Sequence, residues 1–179
     1  GNADALVWWA KQVNAGQSFA GYTVNITADI DLSAHYWTPI CTGTVSYNGG
    51  KYSIASNTVL EGVTINGGGH TITGLTTATG VRGPNQDSQP GDGNNCYYDS
   101  ASIGFNSCNL TIQGLTFSDA SVAISDPFDE VTNKYGSSMI AVIVGGQSGG
   151  SLTLKNVAVK NANVLAMQKA SAFVGNLMG

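Results

Sequence analysis

Charge is what this sequence has least of. Only 10% of its 179 residues are Asp, Glu, Lys or Arg, against about 25% in an average soluble domain. Helical proteins solvate their outer faces with Glu, Lys and Arg, so this shortage argues against a mostly helical fold. The seven basic residues are scattered singly between Lys11 and Lys169. With no basic patch, nucleic acid is not an expected partner. No apolar run approaches the roughly 20 residues of a membrane span, so the chain is not expected to be membrane-spanning. Residues 1 to 10 lack the basic start and apolar core of a leader, and the chain is expected to be either cytosolic or already processed. Cysteine is scarce too: Cys41, Cys96 and Cys108 cannot all pair within one chain. Cys96 and Cys108 flank the exit of a turn-rich segment and either close it as a disulfide or stay unpaired as small apolar residues.

What is present is a β-type surface and a repeat. Hydrophobic residues make up 42% of the chain, enough for one domain with a real core. The surface residues are Thr, Ser, Asn and Gly, with 24 glycines; tight corners favour Gly and Asn, and strand faces favour Thr. Thr71-Ile72-Thr73-Gly74-Leu75-Thr76, Thr111-Ile112-Gln113-Gly114-Leu115-Thr116 and Thr153-Leu154-Lys155-Asn156-Val157-Ala158 read alike, at intervals of 40 and 42 residues. Repetition at a fixed long interval marks an all-β stack of coils. The intervals exceed one coil of about 20 residues, so each holds an excursion. Residues 80–100, with Gly83-Pro84-Asn85 and Pro90-Gly91-Asp92-Gly93-Asn94-Asn95, form one expected side loop, and residues 125–138 form another.

The first residues differ. Leu6, Trp9, Ala10 and Val13 fall at helical spacing, with Asn2 or Asp4 to cap the start and Gly16 just past the end. A helix over 1–16 would cover the apolar core that a stack exposes at its first coil, with Trp8 and Trp9 as plugs. Coils then run over 22–179, making one domain of 1–179. Tyr22 to Leu32 alternates apolar and polar and is expected to be a strand with Val24, Ile26, Ile30 and Leu32 inward. Asp29 and Asp31 share its other face, an arrangement that serves an acid/base pair or simple turn chemistry, which we favour.

The run Val24-Asn25-Ile26-Thr27-Ala28-Asp29-Ile30-Asp31-Leu32-Ser33, then Trp37-Thr38-Pro39-Ile40, then Ile65-Asn66-Gly67-Gly68-Gly69-His70-Thr71-Ile72-Thr73-Gly74-Leu75 resembles the opening of bacterial surface proteins carrying GLUG-type repeats. Ile103-Gly104-Phe105 through Leu115 resembles one repeat and Ala141 to Val157 the next; Ala172-Phe173-Val174-Gly175 resembles the start of a third. The resemblance implies a right-handed parallel β-helix, a solenoid, exported to the cell surface as an adhesin-like, glycan-contacting part of a longer protein. The triple glycine before His70 and the 80–100 loop depart from that pattern.

Candidate chemistry is thin. Gly146-Gln147-Ser148-Gly149-Gly150 satisfies G-x-S-x-G, but a strand pattern follows it and both histidines precede it, so a Gly-rich corner is expected instead of a nucleophile elbow. His70 reads as a turn residue bonding a backbone carbonyl. Asp92-Gly93-Asn94 begins like a Ca²⁺ loop without its final glutamate; a looser Ca²⁺ site would use Asp87, Asp92 and Asp99. No other cofactor is expected. Polysaccharide lyases and glycoside hydrolases share the scaffold, but the one arginine, Arg82, has no lysine near it, and the acidic cluster Asp119, Asp126, Asp129 and Glu130 falls mostly in the second side loop. A non-catalytic binding module asks less: Tyr47, Tyr52, Tyr97, Tyr98 and Tyr135 offer flat faces to sugar rings. Tyr97, Tyr98 and Asp99, with Tyr135, are the first choice for a polysaccharide or cell-surface ligand, and an extracellular location is what the resemblance implies. A spacer without a ligand is the third reading, supported by a C-terminal rung that invites further coils.

Overall fold

The structure, a computed structural model, describes residues 2–34, 36–48, 51–77, 96–97, 101–123, 128–129, 134–135, 137–166 and 169–178. Strands account for 48% of it, with a single helix among the described residues, so the chain is all-β as expected.

Five sheets are parallel. The first joins Thr23–Asn25, Val63–Asn66, Leu110–Gln113 and Leu152–Lys155. The second joins Ile30–Asp31, Thr71–Thr73, Thr116–Ser118 and Ala158–Lys160. The third joins Tyr36–Trp37, Thr76–Thr77, Ser121–Ala123 and Asn163–Leu165. A fourth joins Cys96–Tyr97, Ser137–Ala141 and Lys169–Ser171, and a fifth joins Ile40–Cys41, Ile103–Asn106, Val144–Ser148 and Val174–Met178. The chain thus makes four passes through the sheets in one order, each pass laying its strands beside those of the last. Two antiparallel hairpins, Gly43–Asn48 with Lys51–Ser56 and Phe128–Asp129 with Lys134–Tyr135, stand apart from this scheme.

The repeat is real but its phase differs from the expected one. Thr111-Ile112 does pair with Thr153-Leu154. The partner of Thr111 on the preceding pass, however, is Thr64, and Thr71 lies in the second sheet opposite Thr116. The second pass contains Thr-Ile-x-Gly twice, at Thr64-Ile65-Asn66-Gly67 and at Thr71-Ile72-Thr73-Gly74. Only the first copy precedes the corner where Gly114 and Asn156 sit on later passes. That corner is two residues longer on the second pass, because Gly68-Gly69-His70 stand where Leu115 stands alone on the third.

Corner chemistry explains which residues occupy these places. Gly114 (φ 59°) and Asn156 (φ 51°) share the left-handed conformation at one corner; Gly74 (φ 71°), Asp119 (φ 54°) and Asn161 (φ 51°) share it at the next. Only Gly, Asn and Asp adopt it at small cost. Gly67 is required for a different reason: a Cβ there would lie 2.3 Å from the Gly114 carbonyl oxygen.

Tyr22 to Leu32 is two strands and not one, because the chain turns a corner between Asn25 and Ile30. Its parity survives, with Val24 half-buried and Ile26, Ile30 and Leu32 buried. Inward residues line up across passes, as Val24, Ile65, Ile112 and Leu154 in the first sheet and Ile30, Ile72, Phe117 and Val159 in the second. Full burial of such a side chain is worth about 1.5–3 kcal/mol. The final pass gains less, since Leu152, Leu154, Val159 and Val164 are only half-buried and Leu177 is 73% exposed. That pass also carries Lys155, Lys160 and Lys169, and no Asp or Glu follows Glu130.

Helix α1 (Ala3–Asn14) starts where Asn2 accepts a hydrogen bond from the Ala5 N–H. It buries Trp9, Ala10 and Val13 against Ile26, Leu32, Trp37 and Ile40. Asn14 fastens its end by donating to the Pro39 carbonyl (2.9 Å) and accepting from the Cys41 N–H (3.0 Å). The cover over the first pass is therefore Trp9, edge-on to Phe19 at 6.0 Å. Trp8, expected to share that task, is 57% exposed, because residue 8 falls on the outer side of the helix.

Candidate functional site

Tyr97 lies in the fourth sheet, where the Cα partner of Tyr97 is Ser138. Tyr135 lies three residues before Ser138, opposite Phe128 in its hairpin. The backbone thus brings the Tyr97 strand beside the segment that follows Tyr135. Their side chains, and Tyr98, Asp99, Asp87 and Asp92 altogether, lie outside the described residues. Among the described residues no three of His, Cys, Asp and Glu gather as metal ligands. Tyr47 and Tyr52 occupy facing positions on the two strands of the first hairpin. Cys96–Tyr97 and Ser137–Ala141, which fall partly within the two expected side loops, are strands of the fourth sheet.

Cys108 is a free, fully buried thiol whose Sγ donates to the Asn57 carbonyl at 3.2 Å, and Cys41 is buried with its Sγ directed at the Pro39 carbonyl at 3.9 Å. The side chain of Cys96 lies outside the described residues. Cys108 closes a buried polar ladder through the fifth sheet. Asn106, 0% exposed, donates to Gln147 Oε1 (2.7 Å) and to the Cys108 carbonyl (2.9 Å), while its Oδ1 accepts from Thr42 Oγ1 (3.3 Å) and from the Cys108 N–H (3.3 Å). Three passes meet in this ladder, through Thr42, Asn106 and Gln147. Gln147 Nε2 donates onward to the Gly149 carbonyl (2.7 Å), so Gly146 to Gly150 is a strand end and a corner, as its composition suggested.

The carboxylates serve corners. Asp29 Oδ1 accepts from the Thr71 N–H (2.9 Å) and meets His70 Nδ1 at 3.2 Å. The Thr71 amide first, then the His70 ring, hold the Asp29 carboxyl below its ordinary value. His70 therefore faces a carboxylate and not the backbone carbonyl expected of it, because the lengthened corner carries its ring beside the preceding pass. Asp31 accepts from the Ser33 N–H (2.8 Å), and Ser33 likewise holds its carboxyl low, which is the expected turn chemistry. Glu61 is held low by the Asn109 N–H and side-chain amide, both of which donate to it. Asp119 accepts from the Ser118 hydroxyl at its own corner; Asp126, Glu130 and the side chain of Asp129 lie outside the described residues.

The regular outward feature is one the sequence reading missed. In the first sheet Thr23, Thr64, Thr111 and Thr153 form one column across four passes, and Asn25, Asn66, Gln113 and Lys155 form a second. Asn66 Nδ2 donates to Asn25 Oδ1 at 2.9 Å within it. Aligning Thr64-Ile65-Asn66-Gly67, instead of Thr71-Ile72-Thr73-Gly74, with Thr111-Ile112-Gln113-Gly114 would have found both. Among the described residues no helix is long and apolar enough to cross a membrane. No protein-family model, curated protein or solved structure matches the chain.

Proposed function

We propose that the chain is a non-catalytic, extracellular binding module of the GLUG-repeat type, built as a right-handed parallel β-helix and directed at a polysaccharide or cell-surface ligand. The observation that carries this reading is the pair of outward columns on the first sheet. A hydroxyl and an amide recur there at the strand spacing of about 4.8 Å, from Thr23 and Asn25 to Thr111 and Gln113. Such a lattice matches an extended chain of sugar residues, which repeats its own hydroxyls at regular steps. Right-handedness follows from the strong bias of parallel crossovers. Tyr97, Tyr98 and Tyr135, with Asp99, are the further aromatic and acidic residues assigned to that ligand by this reading.

The test is a glycan array probed with the wild-type chain, with Thr64→Val/Thr111→Val and with Tyr97→Ala/Tyr98→Ala. A signal lost in the first variant assigns the contact to the columns, and one lost in the second assigns it to the tyrosines. Silence across neutral and acidic polysaccharides sinks the binding reading. The spacer reading would then lead, favoured by the half-buried last pass with its exposed Leu165 and Leu177.

A further inference from the structure

A concavity lies between α1 and the strand Tyr36–Trp37. It is a cleft of about 260 Å³ lined by Val7, Ala10, Lys11, Asn14, Tyr36, Trp37 and Thr38. Its floor is Ala10 and Trp37, both buried, with Val7 half-buried; its rim is Lys11, Asn14, Tyr36 and Thr38, all exposed. The floor is fixed, since Trp37 Nε1 donates to the Ser102 carbonyl at 2.8 Å and Asn14 ties the helix to Pro39 and Cys41. The cleft is therefore preformed, as small-molecule sites usually are.

Apart from Asn14, the rim groups are not spent on the fold. Among the described residues the Lys11 ammonium, the Tyr36 hydroxyl and the Thr38 hydroxyl have no partner, and no carboxylate lines the cleft. The last-turn carbonyls of Lys11, Gln12 and Val13 each accept from a following N–H, so they do not compete for the ammonium. Tyr36 is 73% exposed, a large aromatic face turned to water. One cation, one flat ring and two hydroxyls around an apolar floor suit a ligand with one negative charge, an apolar face and several hydroxyls. A sugar ring bearing a carboxylate has all three, and the volume suits a single ring.

Resting on the glycan-binding reading above, we propose that this cleft binds one uronic acid unit, its carboxylate on Lys11 Nζ and its ring face on Tyr36. Lys11 then acts as the selector for acidic over neutral saccharides. The test is a titration of the ¹⁵N-labelled chain with methyl glucuronide and, in parallel, methyl glucoside. Amide shifts for the glucuronide should concentrate at Ala10, Lys11, Tyr36 and Thr38, with affinity about tenfold above that for the glucoside, the order expected for a hydrogen bond to a charged group. Lys11→Gln should erase that preference and leave glucoside binding intact, while Tyr36→Ala should abolish both. Both substitutions are at exposed positions, and unchanged shifts in the remaining spectrum confirm the fold. Equal affinity for the two sugars, shifts mapping elsewhere, or a Lys11→Gln variant that still prefers the glucuronide overturns the assignment. A flat titration together with an array signal that survives Lys11→Gln and Tyr36→Ala removes this cleft and leaves the broader reading in place; a silent array together with a flat titration removes both.

Discussion

Replacing Asn106 with Leu measures how far the buried polar ladder holds successive passes together. Leu keeps the branched shape of Asn and is bulkier, so no cavity opens and the cost is the lost polar partners with some overpacking added. The substitution strips Gln147 Oε1, the Cys108 carbonyl and the Cys108 N–H of their partners, and none of these has another among the described residues. Thr42 keeps its bonds to Ser107 and drops out of the reckoning. An orphaned buried polar group costs about 1–3 kcal/mol, so three cost roughly 3–9, and local relaxation places the expectation at the low end, about 3–5 kcal/mol. Against a total stability of order 5–15 kcal/mol this is a large shift of the urea midpoint, read by tryptophan fluorescence. Gln147→Leu added to Asn106→Leu removes one of the orphans, so the double variant should lose about 1–2 kcal/mol less than the sum of the singles. A single variant within 1 kcal/mol of wild type, or strict additivity of the pair, would refute the role given to the ladder.

Three more outcomes follow from the packing. Gly67→Ala should cost about 2–3 kcal/mol by overpacking, because its Cβ meets backbone that belongs to the next pass; a chemical denaturation curve superimposable on wild type would remove the close approach. Trp8→Ala should stay within about 0.5 kcal/mol of wild type while Trp9→Ala loses about 3–5, and equal losses in thermal melts would contradict the orientation of α1. The Asp29 carboxyl is held low in the folded chain, so its contribution is present above the unfolded value of 3.8 and is lost as pH falls through the folded value. Asp29→Asn should accordingly flatten the acid limb of the stability profile below about pH 4, and a limb unchanged in the variant argues against the Thr71 and His70 contacts.

Much of the architecture is written in local patterns, and the failures have local causes. The helix spacing of Trp9, Ala10 and Val13 sufficed because a single apolar stripe has one way to face a core. The alternation from Val24 to Leu32 named the inward residues correctly yet hid a corner. Sheets that enclose a common core keep the same side chains inward before and after the bend, so period two alone does not mark it. Thr71 was misplaced because the second pass offers two equivalent Thr-Ile-x-Gly phrases, and only hydrogen-bond register chooses between them. The Asp29–His70 contact and the Lys11–Tyr36–Thr38 rim join residues far apart in sequence and on different elements, and no spacing rule reaches them.

The lysines of the final pass bear on how the molecule behaves in a crowd. Unpaired parallel strands with apolar flanks are a template for self-association. Here any strand laid in register beside Leu152–Lys155 or Ala158–Lys160 would meet Lys155 or Lys160, and like charges in facing strands repel while opposite charges attract. Pairing at these strands is therefore selective by charge: a neighbour that sets a carboxylate or an amide opposite each lysine is favoured over one that sets another cation there.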